Sequence, residues 1–193
     1  MLTGSELGIL AVLVGVLVIG VAWYFATYNS LVKSSTYVDE GFSQIDVQLQ
    51  RRNDLIPNLV STVKGYASHE SGTLEAVVAA RQQLINLPKD ATPEQVNALS
   101  NELSGSLSRL LAVSEAYPDL KANTNFLQLQ EELTTTENKI SAARSYYNKL
   151  VASYNNKVKM VPSNIVANMA GYTVKEFLET PAEERKVPTV SFD

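Results

Sequence analysis

Residues 28–66 read YNSLVKSSTYVDEGFSQIDVQLQRRNDLIPNLVSTVKGY, and the spacing of apolar side chains in this stretch decides the fold. Tyr28, Leu31, Ser35, Val38, Phe42, Ile45, Leu49, Arg52, Ile56, Leu59, Val63 and Tyr66 follow one another at alternating steps of three and four. An α-helix turns once every ~3.6 residues, so such steps keep these side chains on one face, the pattern of a heptad seam. Only Ser35 and Arg52 interrupt its apolar character. A straight helix over this stretch is ~58 Å long. Pro57 lies inside it. Proline has no backbone N–H and clashes with the preceding turn, so the sequence predicts a kink at Pro57 or a new helix beginning there.

The same register runs backwards through Leu7, Leu10, Val14, Leu17, Val21 and Tyr24. Leu7 to Ala26 carries no charge. At ~1.5 Å per residue this run spans ~30 Å, the thickness of a hydrocarbon core. A single N-terminal transmembrane helix is therefore expected, continuing into the first helix outside the membrane. Trp23, Tyr24 and Tyr28 gather at its end, where amphipathic rings favour the headgroup level, and are its candidate membrane-interface anchors. A cleaved signal peptide needs a basic start, a shorter apolar core and a small-residue cleavage site. This chain opens Met-Leu-Thr-Gly-Ser-Glu and the run flows into tyrosine-rich sequence, so a retained anchor is expected. Gly8, Ala11, Gly15 and Ala22, extended by Gly4 and Ala26, fall near one stripe of the helix. Small residues let membrane helices approach closely, which makes this stripe a candidate association face; the plainer alternative is that Gly and Ala are simply common in membrane helices. The few nearby basic residues, Lys33, Arg51 and Arg52, follow the run. The positive-inside rule then places the N-terminus outside and the remainder in the cytoplasm.

Downstream the helical period continues. A segment from Thr73 to Leu87 aligns Leu74, Val78, Arg81 and Ile85, and Pro88 to Ala91 forms a turn. Thr92, Pro93 and Gln95 make a helix start: a capping hydroxyl, a proline suited to the first position, and a glutamine able to complete a capping box. Val96, Leu99, Leu103, Ser106, Leu110, Val113 and Tyr117 carry the next seam, which stops before Pro118. Asn123 to Asn125 offers caps for a last long helix along Phe126, Leu129, Leu133, Thr136, Ile140, Ala143, Tyr147, Leu150, Tyr154, Lys157 and Val161, ended by Pro162. Two short helices, Asn164–Ala170 and Val174–Glu184, and an extended end at Val187–Phe192 are expected beyond it. Short connections place successive helices antiparallel. The expected fold is all-α: a transmembrane helix running into an antiparallel three- or four-helix bundle of long helices. Residues 1–27 form the tail and anchor, 28–162 the bundle, and 163–193 a C-terminal tail packing on it.

Chemistry has few residues to work with. The net charge is −4, and no basic cluster exceeds the Arg51-Arg52 pair, which argues against nucleic acid. There is no cysteine, and His69, with Glu70 and Glu75 nearby, is the only histidine. That set lacks the ligand count and spacing of a metal site, and no nucleophile–base pair or phosphate loop stands out. No catalytic residue, metal site or cofactor is expected. Arg52 and Arg81 stand on apolar stripes. Either they reach inward to acidic partners, with Asp54, Glu70, Glu75, Glu131 and Glu132 as candidates, or they extend over their aliphatic stems to the bundle edge. Both readings are structural.

Tyr28-Asn29-x-Leu31-Val32 and the long run from Ile45 to Glu70 resemble the LemA family of bacterial membrane proteins. Ala80-Arg81, Tyr117 to Ala122 and Asn138 to Asn148 carry the resemblance further, over nearly the whole chain. It implies an N-terminal membrane helix, an antiparallel helical domain on the cytoplasmic side of the bacterial inner membrane, and no established catalytic residue. It also implies relatives encoded beside membrane metalloproteases or other envelope proteins. The leading expectation is a non-enzymatic membrane scaffold in envelope organisation, self-associating and in contact with lipid. The alternatives are an adaptor or regulator of a neighbouring membrane protease or other envelope enzyme, and a weak enzyme built on Arg52, Arg81 and nearby carboxylates.

Overall fold

The computed structural model describes residues 3–88 and 90–179. All regular structure among them is helical: α1 (Gly4–Tyr66), α2 (Ser71–Ile85), α3 (Pro93–Ser114), α4 (Pro118–Lys121), α5 (Thr124–Lys159) and α6 (Ser163–Met169). Helix α1 passes through Pro57 without interruption, so no new helix begins there. The apolar part of α1 is long enough to cross a membrane, and none of it is buried by the rest of the chain. By compactness the chain divides into two units, Met1–Glu40 with Lys149–Lys175, and Gly41–Asn148 with the segment from Glu176.

The second unit holds the larger core. Ile56, Leu59 and Val63 of α1 meet Leu74, Val77 and Leu84 of α2, Leu103, Leu107 and Leu110 of α3, Leu120 of α4, and Phe126 and Leu133 of α5. Burying each such side chain contributes ~1.5–3 kcal/mol, so this cluster is the main source of stability. Within this unit α1 and α5 run antiparallel in a constant register. Phe42 packs on Tyr147, Arg52 pairs with Glu137, and Tyr66 Oη accepts from Asn123 Nδ2. The seam expected along α1 is the buried stripe here: Ile45, Leu49, Arg52, Ile56, Leu59 and Val63 are all buried.

The expected start of α3 is present as a full capping box. Gln95 N–H donates to Thr92 Oγ1 at 3.3 Å, and Thr92 N–H donates to Gln95 Oε1 at 2.9 Å. In α2 the seam is shifted by one residue. Leu74, Val77, Ala80 and Leu84 are buried, whereas Val78 and Ile85 are exposed. The sequence Val77-Val78 and Leu84-Ile85 offers apolar residues in both registers, and packing against α3 selects the first.

In the first unit, Leu31 and Val38 of α1 and Val151, Tyr154 and Val158 of α5 are buried. Helix α6 follows α5 after a short turn in which Ser163 Oγ lies within hydrogen-bond distance of the Lys157 and Met160 carbonyls. The second short helix expected in the tail is absent over its described part, since residues 174–179 have no helical structure. Its backbone is engaged elsewhere. Asn155 Nδ2 donates to the Lys175 carbonyl at 2.8 Å, and Lys175 N–H donates to Asn155 Oδ1 at 2.9 Å. Within the other unit, Asn148 holds Leu178 in the same two-sided way, at 2.9 Å each. A side-chain amide offers a donor and an acceptor side by side, and so substitutes for the hydrogen bonds a helix would have supplied. Residues 180–184 and the extended end at Val187–Phe192 lie outside the described residues.

Candidate functional site

The aromatic residues singled out at the end of the apolar run form a connected group in the first unit. Tyr24 stacks on Tyr28 at 6.5 Å and meets Phe25 edge-on at 5.6 Å, while Trp23 stays exposed. Tyr28 meets Tyr172 at 6.2 Å, and Tyr172 meets Tyr154 at 6.5 Å. Tyr154 Oη donates to the Thr173 carbonyl at 2.8 Å, and burial pushes its phenol pKa up. Tyr172 reaches this position because α6 ends in a tight reversal. Gly171 takes φ +75°, Tyr172 N–H donates to the Ala167 carbonyl at 2.9 Å, and Gly171 N–H to the Asn168 carbonyl at 3.3 Å. This is a Schellman ending, and a Cβ in that left-handed conformation is strained. Gly171→Ala is expected to cost about 1 kcal/mol, read as a lower urea midpoint at unchanged slope.

The small-residue stripe is open. Gly8, Ala11, Gly15 and Ala22 are exposed, and a Cβ built on Gly8 or Gly15 meets nothing within 4 Å.

Lys157 sits on the seam of α5 in the same unit. Its Nζ donates to Ser34 Oγ at 2.5 Å and Ser30 Oγ at 2.9 Å, and lies 3.4 Å from the Ser30 carbonyl. A serine–lysine pair can serve nucleophilic catalysis when the amine is free to accept a proton. Here three acceptors meet the three donors of an ammonium, and Ser34 is buried with its hydroxyl donating to the Ser30 carbonyl at 2.8 Å. The arrangement secures a cation on a packed seam.

The second unit contains a buried polar network centred on Arg52, which is 1% exposed. Its Nη1 donates to Glu137 Oε2 at 2.7 Å and Ser104 Oγ at 2.8 Å. Its Nη2 donates to Ser100 Oγ at 2.7 Å and the Ser100 carbonyl at 3.2 Å. Arg144, also buried, donates from Nη2 to the same Ser100 Oγ at 2.7 Å. Burial pulls the Arg52 pKa down, and the Glu137 carboxylate pushes it back. The carboxylate is none of the five expected from the sequence. Asp54, Glu70, Glu75, Glu131 and Glu132 are passed over for Glu137, which the antiparallel register of α1 and α5 places opposite Arg52. The guanidinium therefore reaches inward rather than to the bundle edge.

Arg81 has a different task. Its Nε donates to the backbone carbonyl of Asn53 at 2.9 Å. In a regular helix that carbonyl accepts from the N–H four residues on. That residue is Pro57, which has no N–H. Arg81 supplies from α2 the donor that the proline lacks, and so satisfies the Asn53 carbonyl where α1 passes through Pro57.

Among the described residues no group of three His, Cys, Asp or Glu is placed to hold a metal ion. His69 lies exposed in the turn between α1 and α2, and Glu70 instead accepts from Tyr117 Oη at 3.2 Å. The sequence reading missed Ser100, Ser104, Glu137 and Arg144. One signal was present: Ser100 and Ser104 lie one turn apart on α3, a polar stripe flanking an apolar seam.

Among the described residues one apolar helix is long enough to cross a membrane, and with the helical core this is the make-up of a membrane-associated helical protein. The chain belongs to the LemA family, whose model matches residues 41–192. It is similar to Protein LemA of Metamycoplasma hominis, 28% identical over 178 residues covering 90% of this chain and 80% of that one. It is also similar to Magnetosome protein MamQ 2 of Paramagnetospirillum magneticum, 26% identical over 200 residues, covering 89% of this chain and 74% of that one. Magnetosome protein MamQ of Magnetospirillum gryphiswaldense is 24% identical over 186 residues, covering 84% and 68% of the two chains. None of these names describes a reaction.

Proposed function

We propose that the protein is a non-enzymatic, self-associating scaffold of the bacterial inner membrane, with its helical domain in the cytoplasm. The observation that carries this reading is the bare apolar stretch of α1, whose Gly8, Ala11, Gly15 and Ala22 leave a shallow face with no neighbour from the chain itself. Close approach of two such faces supplies packing that lipid cannot match. Relatives named for an organelle rather than a reaction support a structural role. The buried polar groups support it too, since Arg52 and Lys157 are engaged in packing rather than presented to a substrate.

The full chain in mild detergent is expected to form a defined oligomer by light scattering, and Gly15→Leu to reduce it to monomer. A monomeric wild type at every concentration would count against self-association.

One observation favours a second reading, an adaptor or regulator of a neighbouring membrane protease or other envelope enzyme. In the larger unit an open groove of about 510 Å³ lies between α1 and α2, with Val60, Leu74 and Val78 in its wall and Lys64 and Glu75 beside them. If the wild type is monomeric and a co-purifying membrane enzyme is lost on Val78→Glu, the adaptor reading replaces the scaffold.

A further inference from the structure

The short turn after α5 together with α6, residues 160–169, presents four large apolar side chains to solvent. Met160 is 60% exposed, Val161 77%, Ile165 54% and Met169 73%. The ten residues of this segment carry no charge; Lys159 precedes it, while Lys157 is held by Ser30 and Ser34 and Lys175 pairs with Asp39 at 2.7 Å. An exposed apolar cluster of this kind marks a surface that meets something other than water.

The same unit holds the end of the apolar run of α1. Both ends of the segment are fixed beside the aromatic group that closes the apolar run of α1. Before it, Lys157 is held by Ser30 and Ser34. After it, Gly171 reverses the chain and Tyr172 packs on Tyr28. This segment therefore lies beside Tyr28, at the end of the apolar run of α1. Apolar side chains beside an aromatic group match the boundary between acyl chains and headgroups, and the exposed Lys159 places an ammonium within reach of phosphates.

We propose that the segment Met160–Met169, the turn after α5 with helix α6, inserts into the membrane interface, as a second contact with lipid that lies in the bilayer surface beside the spanning helix. The inference rests on α1 spanning the bilayer, and extends it to a part of the chain some 130 residues later, Met160 against Tyr28.

The test uses the full chain, which has no cysteine of its own. Single cysteines at Val16, Ser153, Ile165 or Met169 carry a nitroxide, one chain per nanodisc of phosphatidylcholine and phosphatidylglycerol. Ser153 is an exposed position on α5 in the same unit. Collision with oxygen is compared with collision with a water-soluble nickel chelate. The oxygen-to-nickel ratio at Ile165 and Met169 is expected to be several-fold that at Ser153 and below that at Val16. A ratio at Ile165 and Met169 equal to that at Ser153, with Val16 deep, overturns the inference and leaves the spanning helix standing. Labels sheltered from both reagents also overturn it, because a protein neighbour then covers the segment. A water-accessible Val16 removes the spanning helix and the inference together.

Discussion

Exchanging Glu137 for glutamine lowers the unfolding free energy of the protein by about 3 kcal/mol, a fall in Tm of roughly 10 °C. The loss comes from Arg52 rather than from the glutamate, whose side chain is 35% exposed and regains water readily. Arg52 is 1% exposed and keeps its charge, with only Ser100 and Ser104 left to hold it. A buried cation without its counter-charge is far more costly than an absent pair. The companion variant makes the cause visible. Removing the charge as well, in Arg52→Met with Glu137→Gln, restores stability to within about 1 kcal/mol of wild type, since methionine fills the seam without a desolvation penalty. Thermal unfolding of the full chain in detergent, followed by circular dichroism, reads both. A change below about 1 °C in Glu137→Gln, or no recovery in the double variant, would show that Glu137 is not what stabilises Arg52.

Arg81→Leu is expected to cost about 1–3 kcal/mol in the wild-type chain, because the Asn53 carbonyl then loses its donor inside the packed domain. In a Pro57→Ala background the same substitution is expected to cost less than half as much. Alanine restores the N–H at position 57, which reaches the Asn53 carbonyl within the helix. Pro57→Ala alone is expected to stabilise by up to about 3 kcal/mol, the usual penalty of an interior proline. The diagnostic quantity is the coupling between the two sites. Additive effects would mean that Arg81 acts through its own packing and not through the gap left by the proline.

Much of the fold was legible because the heptad spacing in α1, α3 and α5 is long and nearly unbroken. The seam from Ile45 to Val63 is buried as read, and the capping box at Thr92 is formed. The register of α2 was not legible, because adjacent apolar pairs satisfy two faces equally and only contact with α3 separates them. The tail differed for a related reason. Val174 to Glu179 has helical composition, but Asn155 and Asn148 take its backbone groups, and such pairings leave no mark in local periodicity. The buried network was half visible. Arg52 stood out on its stripe, yet naming Glu137 requires the register between two helices that brings together residues eighty-five apart. Pro57 and Arg81 each drew attention separately, and only their placement shows that one answers the other.

That pairing also sets an order of events as the chain is made. The donor for the Asn53 carbonyl belongs to a residue 28 positions further along. The stretch around Asn53 therefore leaves the ribosome with a gap in its ladder that nothing yet synthesised can close. The Asn53 carbonyl meets its donor when α2 has emerged and folded back against it. The Asn53 carbonyl thus gains its protein donor only with the arrival of a neighbouring helix, and a chain stalled before Arg81 leaves that carbonyl to water.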